Sequence, residues 1–201
     1  AKAAAPAAAA SGAMGARMLS CVLSGIHRAL PFAAEAEAPE ALVAQLDALF
    51  RVAHAPSFGT AVQALMVLGQ LARLDVPTPP AASPSEPPPP PLADRFYRAL
   101  YAALLRPELP TSAKQALFLN VVYKAMRDDG AAPARALAFA KRLLGACAHA
   151  PPSFACGCLL LLSEVAKAVP ALRDAIANAA ADDALAGADG GAAAKAKAAK
   201  A

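Results

Sequence analysis

Cys156 and Cys158 come nearest to a metal site by residue type and spacing, because a CxC pair of thiolates can bind zinc. Both lie in a segment with a helical pattern, and residues two apart on a helix point about 200° from each other. One zinc ion would therefore not receive both thiolates, and the sequence contains no second cluster of ligands. We expect both cysteines to be buried packing residues, with no metal and no other cofactor.

Nucleophilic chemistry built on Ser, Asp and His is the next candidate. His27, His54 and His149 each lie near the C-terminal end of a predicted helix, where an imidazole can cap free carbonyl groups. No nucleophile elbow, Walker sequence or GxGxxG motif surrounds any Ser, Asp or His. The sequence therefore predicts a protein that is not an enzyme and has no small-molecule substrate.

Basic residues in the second half of the chain offer a different chemistry, the binding of phosphate. Six of them lie on the exposed strip of the helix predicted at 112–128, or on the outer face of the next helix: Lys114, Lys124, Arg127, Arg135, Lys141 and Arg142. If consecutive helices expose neighbouring edges, these residues form one basic ridge against an RNA backbone. The alternatives are a merely solvated face, or a scaffold whose basic residues contact only protein.

The stretch at 111–128, TSAKQALFLNVVYKAMRD, supplies that strip. On a helix with about 100° per residue, five polar residues of this stretch lie within one arc of roughly 140°: Lys114, Asn120, Lys124, Arg127 and Asp128. A typical surface helix shows the reverse, a narrow apolar stripe on a polar cylinder. We therefore expect this helix to have neighbours on two or more sides, and we expect three apolar residues of this helix and of the helix at 153–169 to be buried: Leu117, Val121 and Leu160.

Prolines separate a series of helical patterns, and no segment alternates like a β-strand. The first helix is predicted to end at Pro31, the third to be capped by Ser57, and the helix at 112–128 to begin with Ser112 and Gln115 in capping-box spacing. The predicted helices lie at about 17–30, 39–54, 57–74, 93–105, 112–128, 133–150, 153–169 and 170–179.

These helices predict an all-α fold. They favour a HEAT-like α-solenoid of antiparallel helix pairs over a compact bundle, although the sequence has no clear period. The predicted organisation is a disordered Ala-rich segment at 1–16, a helical domain at 17–180 and a disordered Ala/Lys-rich tail at 181–201. A Pro-rich spacer at 76–92 interrupts the domain and is expected to be extended and solvated.

Composition narrows the function classes further. The net charge of +4 and the pI near 9.0 permit phosphate contact but fall short of a dedicated polycation. The four cysteines lack the spacing of a disulfide framework, which predicts reduced thiols in the cytosol or nucleus. The apolar run at 154–162 is too short to span a bilayer, so no membrane is expected. The missing initiator Met is consistent with a fragment of a longer protein.

Five segments, in order and in register, together resemble the CCAAT-binding factor domain, the family of the nucleolar complex proteins and the CCAAT/enhancer-binding protein zeta group. They are LSGIHRALPF at 23–32, LDALFRVAHAPSFGTAVQALMVL at 46–68, DRFYRALYAALLRPEL at 94–109, TSAKQALFLNVVYKAM at 111–126 and PPSFACGCLLLLSEV at 151–165. The positions that carry the family's signature are mostly apolar or small, and this indicates that the signature mainly specifies helix packing.

This resemblance implies an all-helical, HEAT-like, non-catalytic ribosome biogenesis factor in the nucleus and nucleolus. It implies binding to a nucleolar complex partner of related helical class, to the pre-60S particle and to pre-rRNA during assembly of the large (60S) ribosomal subunit. The family name keeps a second account open, that of a CCAAT-promoter-associated transcription factor or coactivator. No zipper, zinc finger or helix-turn-helix reader is visible in the sequence.

Overall fold

Every regular element is helical in the residues that the computed structural model describes, which are 4–33, 45–74, 90–129 and 132–178. A short 3₁₀ turn at Leu109–Thr111 separates the fourth helix from the fifth. The all-α prediction is confirmed for these residues, whose eight helices are α1 (Ala4–Ala33), α2 (Leu46–Ala53), α3 (Phe58–Arg73), α4 (Leu92–Ala103), α5 (Gln115–Asp128), α6 (Pro133–Cys147), α7 (Pro152–Ala168) and α8 (Pro170–Asn178).

Helix α3 is the centre of the fold. It packs against α1, α2, α4 and α5, and most of its side chains are buried, from Phe58 at its start to Leu71 near its end. A helix with apolar residues on all sides is stable only where neighbours surround it. Few residues of the sequence FGTAVQALMVLGQLAR are polar, and the four neighbouring helices supply the surroundings that it needs.

Helix α5 joins the centre of the fold to its C-terminal part. It packs against α3 on one side and α7 on another, and it also contacts α6 and the 3₁₀ turn. Phe118, Val122 and Met126 are its buried large residues. The expectation that this helix has neighbours on at least two sides is confirmed.

The burial predicted for Leu117 and Leu160 is wrong. Leu117 is 38% exposed and Leu160 is 64% exposed, while Val121 is partly buried against the core. Leu117 lies about two helical turns before Lys124, and Leu160 about one turn before Glu164, so each shares a face with a solvated residue. The exposed strip of α5 therefore includes an apolar residue, Leu117, which the sequence predicted to be buried.

A polar contact fixes α1 on α3. Gln63, a buried polar residue in the middle of α3, accepts a hydrogen bond from Ser20 Oγ at 2.5 Å through its Oε1 atom. Its Nε2 atom donates to Ser24 Oγ at 2.9 Å. Leu23, which lies between the two serines in sequence, is buried. The contact therefore satisfies a polar group inside an otherwise apolar helix pair.

The ends of two helices differ from the prediction. Helix α1 begins at Ala4 rather than Arg17, because alanine has the highest helix propensity and the Ala-rich start continues the helix. Its last turn includes Pro31, which was expected to end it. The capping box of α5 does not form: Ser112 Oγ accepts from the backbone N–H of Lys114, and Gln115 Oε1 is buried without a partner.

The Pro-rich spacer, apart from residues 90–92, and the Ala/Lys-rich tail lie outside the described residues, as does the start of the helix predicted at 39–54. Among the helices that are described, none is both long and apolar enough to cross a bilayer alone. Helices α7 and α8, bent by 115° at the break between them, reach that length and composition only together.

Candidate nucleic-acid interface

The cations predicted on α5 lie along its solvent side but differ in their contacts. Lys124 and Arg127 are exposed, whereas Lys114, the residue just before the helix, is half-buried. The stem of Lys114 passes over Gly59 of α3, with its Cγ 3.6 Å from the position that a Cβ would take there. Lys114 thus packs the start of α5 against α3 through its methylene groups.

Asp128 lies between two arginines at the end of α5. Its Oδ1 atom is 2.9 Å from Arg127 Nε, and its Oδ2 atom is 2.9 Å from Nη2 of Arg73 on α3. The Arg127 guanidinium also lies 5.4 Å from the centroid of the Tyr123 ring. Arg127 therefore shares the Asp128 carboxylate with Arg73 at this end of α5.

Arg135 is held by contacts within the fold. Its guanidinium lies 3.3 Å from Asp94 Oδ1 and 3.2 Å from Asp129 Oδ2, and it covers the ring of Tyr97 at 4.2 Å from the centroid. Burial raises the pKa of the Asp129 carboxyl, and the nearby charge of Arg135 acts against that rise. Arg135 therefore joins α6 to α4.

Arg142 has a similar role two turns further along α6. Its Nη1 atom donates to the carbonyl of Tyr101 at 2.9 Å, and its guanidinium lies 3.6 Å from the centroid of the Tyr101 ring. Phe139 packs edge-on against the same ring at 5.2 Å. Arg135 and Arg142 thus lie on the side of α6 that faces α4, not on the outer face where the sequence placed them. Their binding to RNA stays a prediction.

Lys124 and Lys141 are the most available of the six predicted cations. Both are exposed, and neither forms an ion pair with a carboxylate of the described residues. A cation with no protein partner exchanges only water and counterions when it binds a phosphate. Of the six cations predicted to form the ridge, the fold thus leaves these two lysines and Arg127 exposed.

A cavity of about 300 Å³ opens beside Lys124, bordered by residues of α1, α3, α4 and α5. Apolar atoms of Met66, Phe96 and Val121 form part of its wall. Its polar lining comes from the Arg73–Asp128 ion pair and from five further side chains: His27, Gln70, Tyr97, Asn120 and Lys124. The cavity thus combines an apolar interior with hydrogen-bonding groups and with Lys124, a cation that has no carboxylate partner among the described residues.

His27 reaches this cavity from the interior of α1. The sequence predicted that His27 caps the end of its helix. This is wrong, because α1 continues to Ala33. Its Nδ1 atom and the Oε1 atom of Gln70 are buried, and neither makes a well-formed hydrogen bond. Burial lowers the pKa of His27, and the charge of Lys124 lowers it further, while contact with the Gln70 side chain acts in the opposite direction. The imidazole is thus favoured in its neutral form.

Two aromatic residues of α4 shape the cavity. The Phe96 ring lies directly over Gly69, where an added Cβ would come within 3.1 Å of Cζ. The Tyr97 hydroxyl donates to the carbonyl of Ala125 at 3.2 Å. Burial, followed by the nearby charge of Asp129, raises the pKa of Tyr97 to about 12. Tyr97 is therefore a fixed, neutral part of the wall.

The two thiols of the CxC pair lie in different environments. Cys156 is exposed and Cys158 is buried, as the helical angle between them requires, so the burial expected for Cys156 is wrong. Burial, with Cys147 nearby, raises the pKa of the Cys158 thiol to about 12. Within the part of the chain that the structure describes, no three residues of metal-binding type lie close enough together to hold an ion.

Sequence reasoning missed the cavity because its lining comes from four helices that are distant in sequence. Asn120 was the one pointer, a polar residue at the edge of the exposed strip of α5. The structure brings Asn120 and Lys124 together with His27 and Gln70, which showed no shared spacing in the sequence.

The described residues form an all-α fold with exposed cations on α5 beside a small cavity. Its sequence matches the model of the CBF/Mak21 family over residues 61–200, and the chain belongs to this family. The resemblance seen in the sequence is thereby confirmed.

Three relatives illustrate the similarity. The chain is 41% identical over 157 residues to the Ribosome biogenesis protein NOC1 of Chaetomium thermophilum, covering 78% of this chain and 13% of that protein. It is 40% identical over 157 residues to the human CCAAT/enhancer-binding protein zeta, with the same coverages of 78% and 13%. It is 33% identical over 151 residues to the Nucleolar complex protein 1 of Drosophila melanogaster, covering 74% of this chain and 11% of that protein. The chain therefore spans only a small part of the length of these relatives.

Proposed function

We propose that this chain is the helical module of a non-catalytic ribosome biogenesis factor. In this proposal the helices form a HEAT-like stack of antiparallel pairs that binds pre-rRNA and a partner protein of related helical class during large (60S) subunit assembly in the nucleolus. The observation that carries it is the 41% identity to a protein named for ribosome biogenesis. The name of the Drosophila relative, a nucleolar complex protein, supports both the location and the existence of partners.

The RNA part of the proposal is supported by the exposed cations of α5 and α6. Lys124 and Lys141 have no carboxylate partner in the described ranges, and Arg127 shares Asp128 with Arg73. Each lysine that neutralises a phosphate releases a condensed counterion, which makes binding strong at low salt and weak at high salt. In this proposal these residues contact the RNA backbone without reading its sequence.

The protein part is supported by large apolar side chains at the surface. Large apolar side chains that lie on the surface are typical of protein interaction sites where they form a contiguous patch. Exposed residues of this kind lie on each of the helices α5 to α8: Leu117, Leu144, Leu159, Leu160 and Ile176. In the proposal, some of these leucines are covered by the partner.

Charge reversal tests the RNA part. The double variant Lys124→Glu/Lys141→Glu should bind a pre-rRNA fragment more weakly, and the slope of log K against log salt should fall by about two, one for each lost phosphate contact. The control is Arg17→Glu/Arg51→Glu, which changes the net charge equally at exposed positions on α1 and α2. Equal weakening in both variants would mean that net charge, not the strip, attracts the RNA.

The assembly role is tested in cells with the full-length protein. A tagged copy should sediment with large-subunit precursors, and its depletion should impair rRNA processing. Absence from those particles together with normal processing after depletion would count decisively against the proposal.

A promoter-associated role is the second candidate, because the human relative is named CCAAT/enhancer-binding protein zeta. It predicts occupancy of CCAAT-containing promoters that survives treatment of chromatin with ribonuclease. Occupancy that disappears with the RNA would instead favour the ribosomal role.

A further inference from the structure

The cavity beside Lys124 has a feature that a plain phosphate-binding strip does not need. Its volume of about 300 Å³ lies at the lower end of the range of small-ligand sites. It is bordered by the same helix that carries the basic strip, and Asn120 and Lys124 belong to both surfaces. The strip and the cavity therefore share two polar side chains.

The walls suit a flat, largely apolar group. Met66, Phe96 and Val121 contribute hydrophobic surface, and Gly69 leaves the Phe96 ring room to lie against α3. A small or aromatic lining of this kind favours a planar ring, because ring faces pack against apolar and aromatic surfaces when they leave water.

The polar groups suit the edge of a heterocycle. Gln70 and Asn120 carry carboxamides, each of which offers donors and an acceptor side by side, and His27 offers one donor and one acceptor when neutral. The buried His27 Nδ1 and Gln70 Oε1 atoms lack well-formed hydrogen bonds within the described residues. A buried polar atom without a partner is unfavourable, so a ligand that reaches these two atoms would stabilise the site.

From these observations we propose that the cavity receives one unpaired nucleobase of an RNA strand, while Lys124 holds the adjoining phosphate. The base edge is bonded by Asn120, Gln70 and His27, in the way that proteins recognise unstacked bases of single-stranded loops and bulges. This inference rests on the proposed RNA-binding function and names the part of the RNA that this site takes.

An acidic side chain of a partner protein is the rival occupant. It fits less well, because a carboxylate would fill little of the space and would leave the apolar wall uncovered. Of the groups that line the cavity, Lys124 is the cation without an ion-pair partner in the described segments, because Arg73 is paired with Asp128. The remaining polar side chains of the lining are uncharged: the amides of Gln70 and Asn120, the imidazole of His27 and the hydroxyl of Tyr97. Uncharged donor–acceptor pairs match a base edge better than they match a carboxylate.

The test measures binding of the 201-residue chain to fluorescein-labelled RNA hairpins by fluorescence anisotropy. One hairpin is made for each bulged base, and a matching hairpin carries an abasic bulge at the same position. At least one base should be preferred over the abasic bulge by about tenfold, as expected for a good set of base contacts.

Two variants should remove this preference, so that each variant binds the bulged-base hairpin and the abasic hairpin with equal affinity. Asn120→Ala deletes an exposed amide of the site, and its control is Asn178→Ala, an exposed asparagine at the end of α8. Ala93→Leu fills the cavity, and its control is Ala138→Leu on the exposed side of α6. Circular dichroism of each variant checks that the helices are retained.

The outcomes separate this inference from the proposed function. Salt-dependent binding to every hairpin, with no base preferred more than about twofold over the abasic bulge, overturns the base site and leaves the RNA-binding function intact. Absence of binding to all hairpins overturns both. Displacement of RNA by oligoglutamate that is lost in Asn120→Ala, without any base preference, would assign the cavity to a carboxylate and also overturn the base site.

Discussion

Helices α3 and α7 have similarly apolar sequences, but the fold treats them differently. Helix α3 contacts four other helices, and its leucines at 65, 68 and 71 are almost completely buried. Helix α7 packs mainly on α5 and α6, and it leaves Leu159 55% exposed and Leu160 64% exposed. The same composition therefore serves as a core in one place and as a surface in the other.

This difference shows what an apolar pattern establishes and what it does not. A continuous apolar run predicts that a helix has neighbours, because exposed leucine is unfavourable in water. It does not say how many of those neighbours belong to the same fold. In the proposed function, a partner protein covers the exposed leucines of α7.

Alanine substitution of one leucine on each helix gives the sharpest test of this comparison. Leu68→Ala on α3 should lower the free energy of unfolding by about 3 kcal/mol, because it removes buried methyl groups and leaves a cavity. Leu160→Ala on α7 should change it by less than about 0.5 kcal/mol, since the side chain is already largely hydrated. Urea denaturation of both variants measures the difference. Similar losses would mean that α7 is covered in the isolated chain.

The polar contact between α1 and α3 predicts the next largest effect. Gln63→Leu should cost about 2 kcal/mol, because it leaves the hydroxyls of Ser20 and Ser24 without their amide partner in a partly buried site. Helix α7 provides the contrast, where Ser163→Ala at an exposed position should be close to neutral.

A triple variant identifies the cause of that cost. Gln63→Leu combined with Ser20→Ala and Ser24→Ala removes all partners together, so most of the lost stability should return. A triple variant as unstable as Gln63→Leu alone would show that leucine does not fit the space, and that the hydrogen bonds are not the reason.

The helix content of the fold was predictable from the sequence because proline and capping residues mark many of the ends. The starts of α6 and α7 lie at or next to the predicted residues, and α3 begins directly after Ser57 as expected. The predicted cap itself does not form, because Ser57 Oγ accepts from the Thr60 hydroxyl and not from a backbone N–H of the first turn. Boundaries set by weaker preferences were less predictable. The alanine run extended α1 to Ala4, and α5 began at Gln115 because Ser112 to Lys114 formed a turn instead.

The candidate site was less predictable than the fold. The exposure of Lys124, Arg127 and Lys141 followed from helical periodicity, which depends only on residues nearby in sequence. The engagement of Arg135 and Arg142 depended on which helix lay beside α6, and periodicity does not contain that information. The cavity required the packing of four helices at once, so a wheel drawn for any one helix could not reveal it.

Two glycines, one in each kind of environment, extend the comparison between buried and exposed helix faces. Gly25 on α1 has nothing within 4 Å of an added Cβ, so Gly25→Ala should stabilise the fold by about 0.5–1 kcal/mol through helix propensity. Gly69→Ala gains the same propensity but forces the buried Phe96 ring away, and overpacking of this kind costs about 1–3 kcal/mol. A net loss of about 1 kcal/mol is expected.

Thermal or urea denaturation of the two variants side by side decides the outcome. Stabilisation by both substitutions would mean that Phe96 can move aside at little cost. The cavity wall at Phe96 would then adapt more easily than the close approach of Phe96 to Gly69 indicates.

His27 predicts the smallest of the four effects, a dependence of stability on pH that belongs to the α1–α3 contact and not to α7. Burial, with the charge of Lys124, lowers the pKa of His27 in the folded state below its ordinary value of 6.5. Between these two pKa values the unfolded chain binds more protons than the folded chain, so stability rises with pH there. Stability should therefore fall as the pH is lowered through 6.5, and level off below the folded-state pKa.

Lys124→Met should make this fall in stability smaller, since it removes the charge that repels the protonated imidazole. Lys141→Met on α6 should leave the fall as it is in the unmodified chain. Urea denaturation across this pH range measures the slope, and an equal slope in both lysine variants would show that Lys124 does not act on the imidazole.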